Sequence, residues 1–388
     1  MMSYAIPFNR PCLAGNEYKY IGEAIAYGHA SGDGPFTYKC HALLEQELQA
    51  PKVLLTTSCT HALELAALLL ECGPGDEVIL PSFTFVSTAN AFALRGARIV
   101  FADIRSDTLN LDETRLEPLI TPRTRVIVPV HYAGVACEMD TITAMARRHG
   151  VRIVEDNAHG LFARYKGKYT GTFGCVGTQS FHETKNVTCG EGGALVVNDP
   201  ELVERALILR EKGTNRNQFL QGQVDKYTWV DLGSSYLPSD LLAAFLYAQL
   251  EARVAIQGKR KRVWEFYWQH LQHWAQETGV RLPAVPAGCE QCYHMFYLIM
   301  NSLAERQALI SHLQSQGILS VFHYVPLHLS SMGRKFGTQP GDCPITEDMS
   351  ERVLRLPFYN DLTESDQARV VSAVTEFGTM ARKTAIAS

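Results

Sequence analysis

No apolar run in the chain approaches the roughly 20 residues that a membrane-spanning helix needs. The longest, Ala62 to Leu70, is interrupted by Glu64. The stretch MMSYAIPFNRP has no basic segment leading into an apolar one, so no secretory leader is expected. Neither sign of charge dominates: 36 Lys and Arg stand against 40 Asp and Glu, a net charge of −4. That balance argues against nucleic acid or an anionic membrane as the main partner. It leaves room for a basic pocket that takes one anionic ligand. No G-x-G-x-x-G follows a strand-like segment, and Gly190-Glu191-Gly192 has Leu195 where the third glycine belongs. No G-x-x-x-x-G-K-[ST] occurs, so dinucleotide redox chemistry and ATP hydrolysis lack their usual phosphate loops. The ten cysteines are scattered along the chain and do not form a disulfide scaffold. Cys289-x-x-Cys292 with His294 lacks a second ligand pair, and no metal is expected. The expectation is a reduced, cytoplasmic, soluble protein.

What the chain does have is length and core material. Its 388 residues are 46% apolar and 20% charged, enough for two or three domains or one large body with an appendage. Short runs rich in Val and Ile recur at Lys52–Thr56, Glu77–Leu80, Arg98–Phe101, Arg125–Val130, Val151–Val154 and Ala194–Asn198. They are continuous rather than alternating, as strands covered on both faces are. Helical segments fall between them, at His61–Glu71, Thr88–Leu94 and Met139–His149. The alternation predicts βαβ units and a mainly parallel sheet.

After about Tyr236 the character changes. Asp240–Gln276 reads as one or two long helices, and Pro283, Pro286 and Gly288 then break the chain. A strand at His294–Met300, a helix at Ala304–Gln316, a strand at Ser320–Tyr324 and a helix at Glu364–Phe377 follow. The expected organisation is an α/β large domain over residues 1–250, with an N-terminal arm, and a small α+β domain over 251–388.

Three segments carry candidate chemistry. Thr57-Ser58-Cys59-Thr60 joins a strand to a helix, where free N–H groups and hydroxyls form a phosphate cup. Plain N-capping is the alternative. In VEDNAH, Asp156 ends a buried strand, where α/β proteins place ligand groups; a helix cap is again the alternative. Lys185 lies in SFHETKNVTCGEGG, a hydroxyl-rich loop flanked by glycine that lets a flat ligand approach the backbone. It suits a Schiff-base nucleophile, or is a solvated surface lysine.

Cup, strand-end aspartate and loop lysine, in that order, resemble the fold-type-I pyridoxal-phosphate enzymes. PSFTFVSTANA, PVHYAGVACEMD, GSSYLPSD, FHYVPLH and RLPFYNDLTE narrow the resemblance to the sugar-nucleotide aminotransferases. The likeness runs over nearly the whole chain. REKGTNRNQF and GQVDKYTW point to the branch that makes dTDP-4-amino-4,6-dideoxygalactose from the 4-keto-6-deoxyglucose nucleotide, with L-glutamate as amino donor. The resemblance implies pyridoxal 5'-phosphate as cofactor and Lys185 as its Schiff-base lysine and proton shuttle. It implies Asp156 at the pyridine nitrogen, Phe85 on one ring face and His159 near the phenolic oxygen. Ser58, Cys59, Thr60 and Ser180 would hold the phosphate. His159 departs from the usual Gln. Ser235 replaces an Asn that reaches the partner subunit's phosphate in many members, which implies a homodimer with shared sites. A gluco epimer, a 3-amino product, a dehydrase and a noncatalytic cofactor-binding protein are the alternatives. Histidine replaces the loop lysine in the dehydrases, so Lys185 argues against that one.

Overall fold

The structure is a computed structural model that describes residues 4–387, with side chains through residue 378. Residues 1–3 of the N-terminal stretch and residue 388 of the expected small domain lie outside the described residues.

Strands β1 (Lys52–Thr56), β2 (Glu77–Pro81), β3 (Arg98–Ala102), β4 (Thr124–Ile127) and β5 (Arg152–Asp156) come from the predicted apolar runs. A hairpin of β6 (Arg164–Tyr165) and β7 (Lys168–Tyr169) precedes β8 (Val176–Ser180) and β9 (Gly193–Val197). Seven of these form one sheet in the order β1-β9-β8-β5-β4-β2-β3. The pairs from β8 through β3 are parallel, whereas β9 runs antiparallel to both β1 and β8. The sheet is therefore mixed and mostly parallel.

Both faces are covered, as the continuous apolar runs require. Val78 and Leu80 enter one buried cluster while Ile79 enters another. Leu54 is likewise split from Val53 and Leu55. Strand β8 was not foreseen. Its sequence, VGTQS, is short of large apolar residues, yet every residue is buried because neighbours pair with it on both sides.

The predicted helices appear at Cys59–Leu69, Val86–Ala93 and Met139–His149. Asp240–Gln276 resolves into Asp240–Glu251 and Arg253–Thr278. Helices at Glu17–Tyr27 and Pro35–Leu48 were not foreseen. A further strand, β10 (Cys289–Glu290), pairs with β6. Then β11 (Tyr297–Ile299), β12 (Val321–Phe322) and β13 (Val353–Arg355) form a separate antiparallel sheet with β13 in the middle. Its apolar face packs with the Arg253–Thr278 and Leu303–Ser315 helices around Tyr267, Phe296, Leu309 and Leu354. Ile6, near the start of the chain, is buried in that same cluster.

The topology brings chemistry to one edge. Strands β1, β2, β4, β5 and β8 all end there, and β9 begins there. Gly193 faces Thr56 on one side and Ser180 on the other. The loops after β1, β2 and β5 therefore converge on the lysine loop between β8 and β9.

Candidate active site

Ser58 turns the chain from β1 into the Cys59–Leu69 helix. Its Oγ accepts from the His61 N–H at 3.1 Å, so the capping reading holds. The hydroxyl proton remains available to an anion at the same helix terminus, so capping and phosphate binding are compatible. Gly193 makes the close fit possible. A Cβ there would stand 2.4 Å from Ser58 C and from Cys59 N. Thr60 Oγ1 and Ser87 Oγ lie 2.7 Å apart, tying the cup to the next helix.

Adjacent carboxylates on β5 have opposite fates. Glu155 points into the protein and accepts from the N–H groups of Gly171, Phe173 and Gly174 at 2.6–2.7 Å. His131 Nε2 lies 2.8 Å from Oε2, the oxygen that also accepts from Gly171, while Phe173 and Gly174 donate to Oε1. That carboxylate is saturated and structural. Asp156 faces the pocket. Its Oδ2 accepts from Thr88 Oγ1 at 2.7 Å and its Oδ1 from the Ala158 N–H at 3.1 Å. A carboxylate has about four acceptor positions, so lone pairs remain for a ligand.

Lys185 sits in the same cavity, of about 480 Å³. Burial pulls its amine down from 10.5 to about 8, against the opposing pull of the Asp156 carboxylate. Such a lysine is a usable nucleophile and base near neutral pH. Burial also lowers His159 well below the usual imidazole range, with Lys185 and Arg355 adding to the effect. His159 stacks on His294 with ring centroids 4.3 Å apart and planes 21° apart. The Ala133 N–H points to His159 Nδ1 at 3.4 Å, which places the ring proton on Nε2. Burial pushes the Cys59 thiol up, so it stays protonated.

Ser58, Cys59, Thr60, Phe85, Asp156, His159, Ser180 and Lys185 all line this one cavity. Ser235 does not; it is exposed and bridges Glu211. Sequence reasoning missed Thr88, His294, His323, Tyr324 and Arg355, which also line it. FHYVPLH and RLPFYND contain three of these, but no spacing within those motifs indicates where they land. Cys289, Cys292 and His294 do not converge as ligands. Cys292 Sγ donates to His159 O at 2.9 Å and His294 Nδ1 meets Asn186 Oδ1 at 2.9 Å. Among the described residues no group of three or more His, Cys, Asp or Glu is placed to hold a metal.

The residues fit pyridoxal phosphate. One end of the cavity is a hydroxyl-lined helix terminus against which only glycine fits. The cavity also holds a carboxylate with free lone pairs and a depressed lysine amine. Phe85, at the N-terminal end of the Val86–Ala93 helix, supplies an aromatic wall.

Comparison with known proteins agrees. An uncharacterized protein, MJ1066, of Methanocaldococcus jannaschii is 33% identical over 96% of this chain and 97% of its own. The aminotransferase TlmJ from Streptoalloteichus hindustanus is 33% identical, with a TM-score of 0.88 over 99% of this chain and 100% of that one. The putative sugar aminotransferase Spr1654 from Streptococcus pneumoniae, in its PLP form, is 27% identical, with a TM-score of 0.89 over 97% of this chain and 99% of that one. The model of the DegT/DnrJ/EryC1/StrS aminotransferase family matches residues 11–375. The chain therefore belongs to the DegT/DnrJ/EryC1/StrS aminotransferase family and is a pyridoxal-phosphate-dependent sugar aminotransferase.

Proposed function

We propose that this protein moves the amino group of L-glutamate to carbon 4 of dTDP-4-keto-6-deoxyglucose. The products are dTDP-4-amino-4,6-dideoxygalactose and 2-oxoglutarate, for surface polysaccharide or lipopolysaccharide. The observation that carries the chemistry is the meeting of Lys185, Asp156 and the Ser58–Thr60 cup in one cavity. The REKGTNRNQF, GQVDKYTW and GSSYL segments support the choice of substrate.

When bound, the cofactor supplies an electron sink for the carbon that loses its proton. Asp156 holds the positive charge of the pyridine nitrogen. Lys185 Nζ would hold the cofactor and would take the proton from the donor's α-carbon. Its amine, at about 8, is neutral often enough to act as that base. Ser58, Cys59, Thr60 and Ser180 would anchor the phosphate, Phe85 would cover the ring, and His159 would offer its Nε2–H to the cofactor.

In this reading residues 1–250 carry the cofactor and residues 251–388 form the small domain. The separate buried cluster around Phe296 and Leu354 supports that division. Two chains share their sites, each lending Ser235 to the other. The exposed Phe219, Leu220, Tyr227, Trp229 and Leu232 nearby support such an interface. No helix among the described residues is long and apolar enough to cross a membrane, in keeping with a cytoplasmic enzyme.

The test is incubation with L-glutamate, pyridoxal phosphate and dTDP-4-keto-6-deoxyglucose, with the product configuration read by proton NMR. An axial 4-amine is expected. An equatorial amine would reassign the epimer, and absence of any amino sugar would refute this substrate.

A further inference from the structure

The segment Cys292-Tyr293-His294 leads into β11 and joins two parts of the site. Cys292 Sγ donates to His159 O at 2.9 Å. From the lysine loop, Asn186 Nδ2 donates to Cys292 O at 2.7 Å and to Gln257 Oε1 at 3.3 Å. A carbonyl only accepts, so Asn186 turns its own Oδ1 to His294, and the His294 proton sits on Nδ1, 2.9 Å away. The His294 ring stacks on His159 with centroids 4.3 Å apart, closer than Tyr132 at 5.7 Å or His323 at 6.2 Å. One imidazole therefore touches both the residue beside Lys185 and the ring expected near the cofactor's phenolic oxygen. Burial, then His159, Lys185, Arg260 and Arg355, push His294 well below the usual imidazole range, so it meets both neighbours as a neutral ring.

The backbone around it is held in place. Tyr293 takes φ 54°, a left-handed conformation that a non-glycine residue keeps only where its surroundings enforce it. Buried Arg260, on the Arg253–Thr278 helix, donates from Nε to Tyr293 O at 2.9 Å and from Nη2 to His294 O. Gly134 lets the segment come close, since a Cβ there would stand 2.4 Å from Cys292 Sγ and 3.0 Å from His159 O. An apolar side chain at 294 would fill the same space, but it would leave Asn186 Oδ1 buried without a donor. We propose that His294 is a positioning residue that fixes the His159 ring and the Lys185 loop relative to each other. The donor to the phenolic oxygen and the amine that takes the proton then keep one geometry. The inference rests on the transaminase reading above and on His159 meeting that oxygen, as the family resemblance implies.

The test uses the full-length, cofactor-loaded protein and follows the absorbance of the bound cofactor from mildly acidic to mildly basic pH. A donor on the phenolic oxygen stabilises its negative charge and makes the nitrogen supplied by Lys185 less basic. Two variants separate the contacts. His294→Asn keeps an N–H for Asn186 and loses the ring, whereas His294→Phe keeps the ring and loses the N–H. His294→Asn is expected to raise the titration midpoint by about 1–2 pH units, the scale of one hydrogen bond to a charged group. In a His159→Phe background it should add no further shift, because it acts through that ring. The midpoint is read from bound cofactor alone, so a partly unfolded preparation does not move it. His294→Phe should leave the midpoint in place and slow single-turnover amination by L-glutamate about 10- to 100-fold, as a misplaced base does. The α-deuterated donor should be slower still, which marks the proton step. An unmoved midpoint in His294→Asn, with His159→Phe shifted, would overturn the positioning of His159. An unslowed His294→Phe would overturn the part that concerns Lys185. If His159→Phe itself left the midpoint unmoved, the placement of His159 at the phenolic oxygen would fall and take this inference with it, so the two failures are distinct.

Discussion

Thr88 Oγ1 donates to Asp156 Oδ2 at 2.7 Å, and Thr84 Oγ1 lies 2.8 Å behind Thr88. All three residues are buried. This short chain fixes the plane of the carboxylate assigned to the pyridine nitrogen. Thr88 follows Phe85 on the first turn of the same helix, so the aromatic wall and the carboxylate are positioned by one element. We predict that Thr88→Val lets the carboxylate rotate and lowers kcat about 10- to 100-fold, the range for a lost charge-assisted hydrogen bond. The variant should also lose preference for pyridoxal phosphate over its 1-deaza analogue, which lacks the ring nitrogen. Thr88→Ser should restore both. Equal discrimination in Thr88→Val and wild type would show that the hydroxyl serves packing alone.

Lys185 gives the cofactor-free protein a defined pH response. Its folded amine, near 8, lies below its ordinary 10.5. Between those values the unfolded chain holds a proton that the folded chain does not, so stability rises with pH across this window. Below about 8 the folded protein bears the full cost of a buried cation, on the order of 1–3 kcal/mol. Replacing Lys185 by Met should therefore raise the melting temperature of the cofactor-free protein at pH 7, with the gain shrinking toward pH 10.5. Lys185→Ala should abolish turnover while still binding cofactor noncovalently. A pH-independent difference in melting between wild type and Lys185→Met would exclude the depressed amine.

Trp229 is 74% exposed, and Phe219, Leu220, Tyr227 and Leu232 are exposed close to it in sequence. A stable dimer buries roughly 800 Å² per partner around such aromatic anchors. Trp229→Glu places a charge at that surface and is predicted to yield monomers at micromolar concentration, with loss of activity but unchanged far-UV circular dichroism. Sedimentation velocity decides it. A wild type that sediments as a monomer would refute the shared-site arrangement and leave Ser235 without a role.

Much of this architecture is legible in the chain because burial on both faces demands continuous apolar runs. The five strands from Lys52 to Asp156 show themselves that way. Strand β8 does not, since Gly177, Thr178 and Gln179 are buried through strand pairing and local hydrogen bonds rather than by apolar character. The orientation of β9 is equally silent, because an apolar run carries no sign for its direction. In the site, Ser58, Asp156 and Lys185 lie beside strand ends that can be recognised. His294, His323 and Arg355 reach the cavity only when β11, β12 and β13 fold over it. Nothing local distinguishes them from ordinary core or surface residues.

The neighbouring acids of β5 provide a two-way test of structure against chemistry. Glu155 is saturated by three backbone N–H groups and His131, and removing its charge weakens four interactions at once. Glu155→Gln is expected to destabilise the fold by about 3 kcal/mol, the scale for disrupting a buried charged network, because the amide NH₂ cannot accept from those donors. The fraction that folds should keep most of its kcat. Asp156 has two donors and otherwise faces the cavity, so Asp156→Asn changes few internal contacts. It should melt within a few degrees of wild type yet lose orders of magnitude in kcat, since each 1.36 kcal/mol of lost transition-state stabilisation is tenfold. Thermal denaturation and steady-state rates on both variants check this. If both variants lost the same property, the division of labour between the two faces of the strand would be wrong. If Asp156→Asn retained its rate, the carboxylate would have no part in the chemistry.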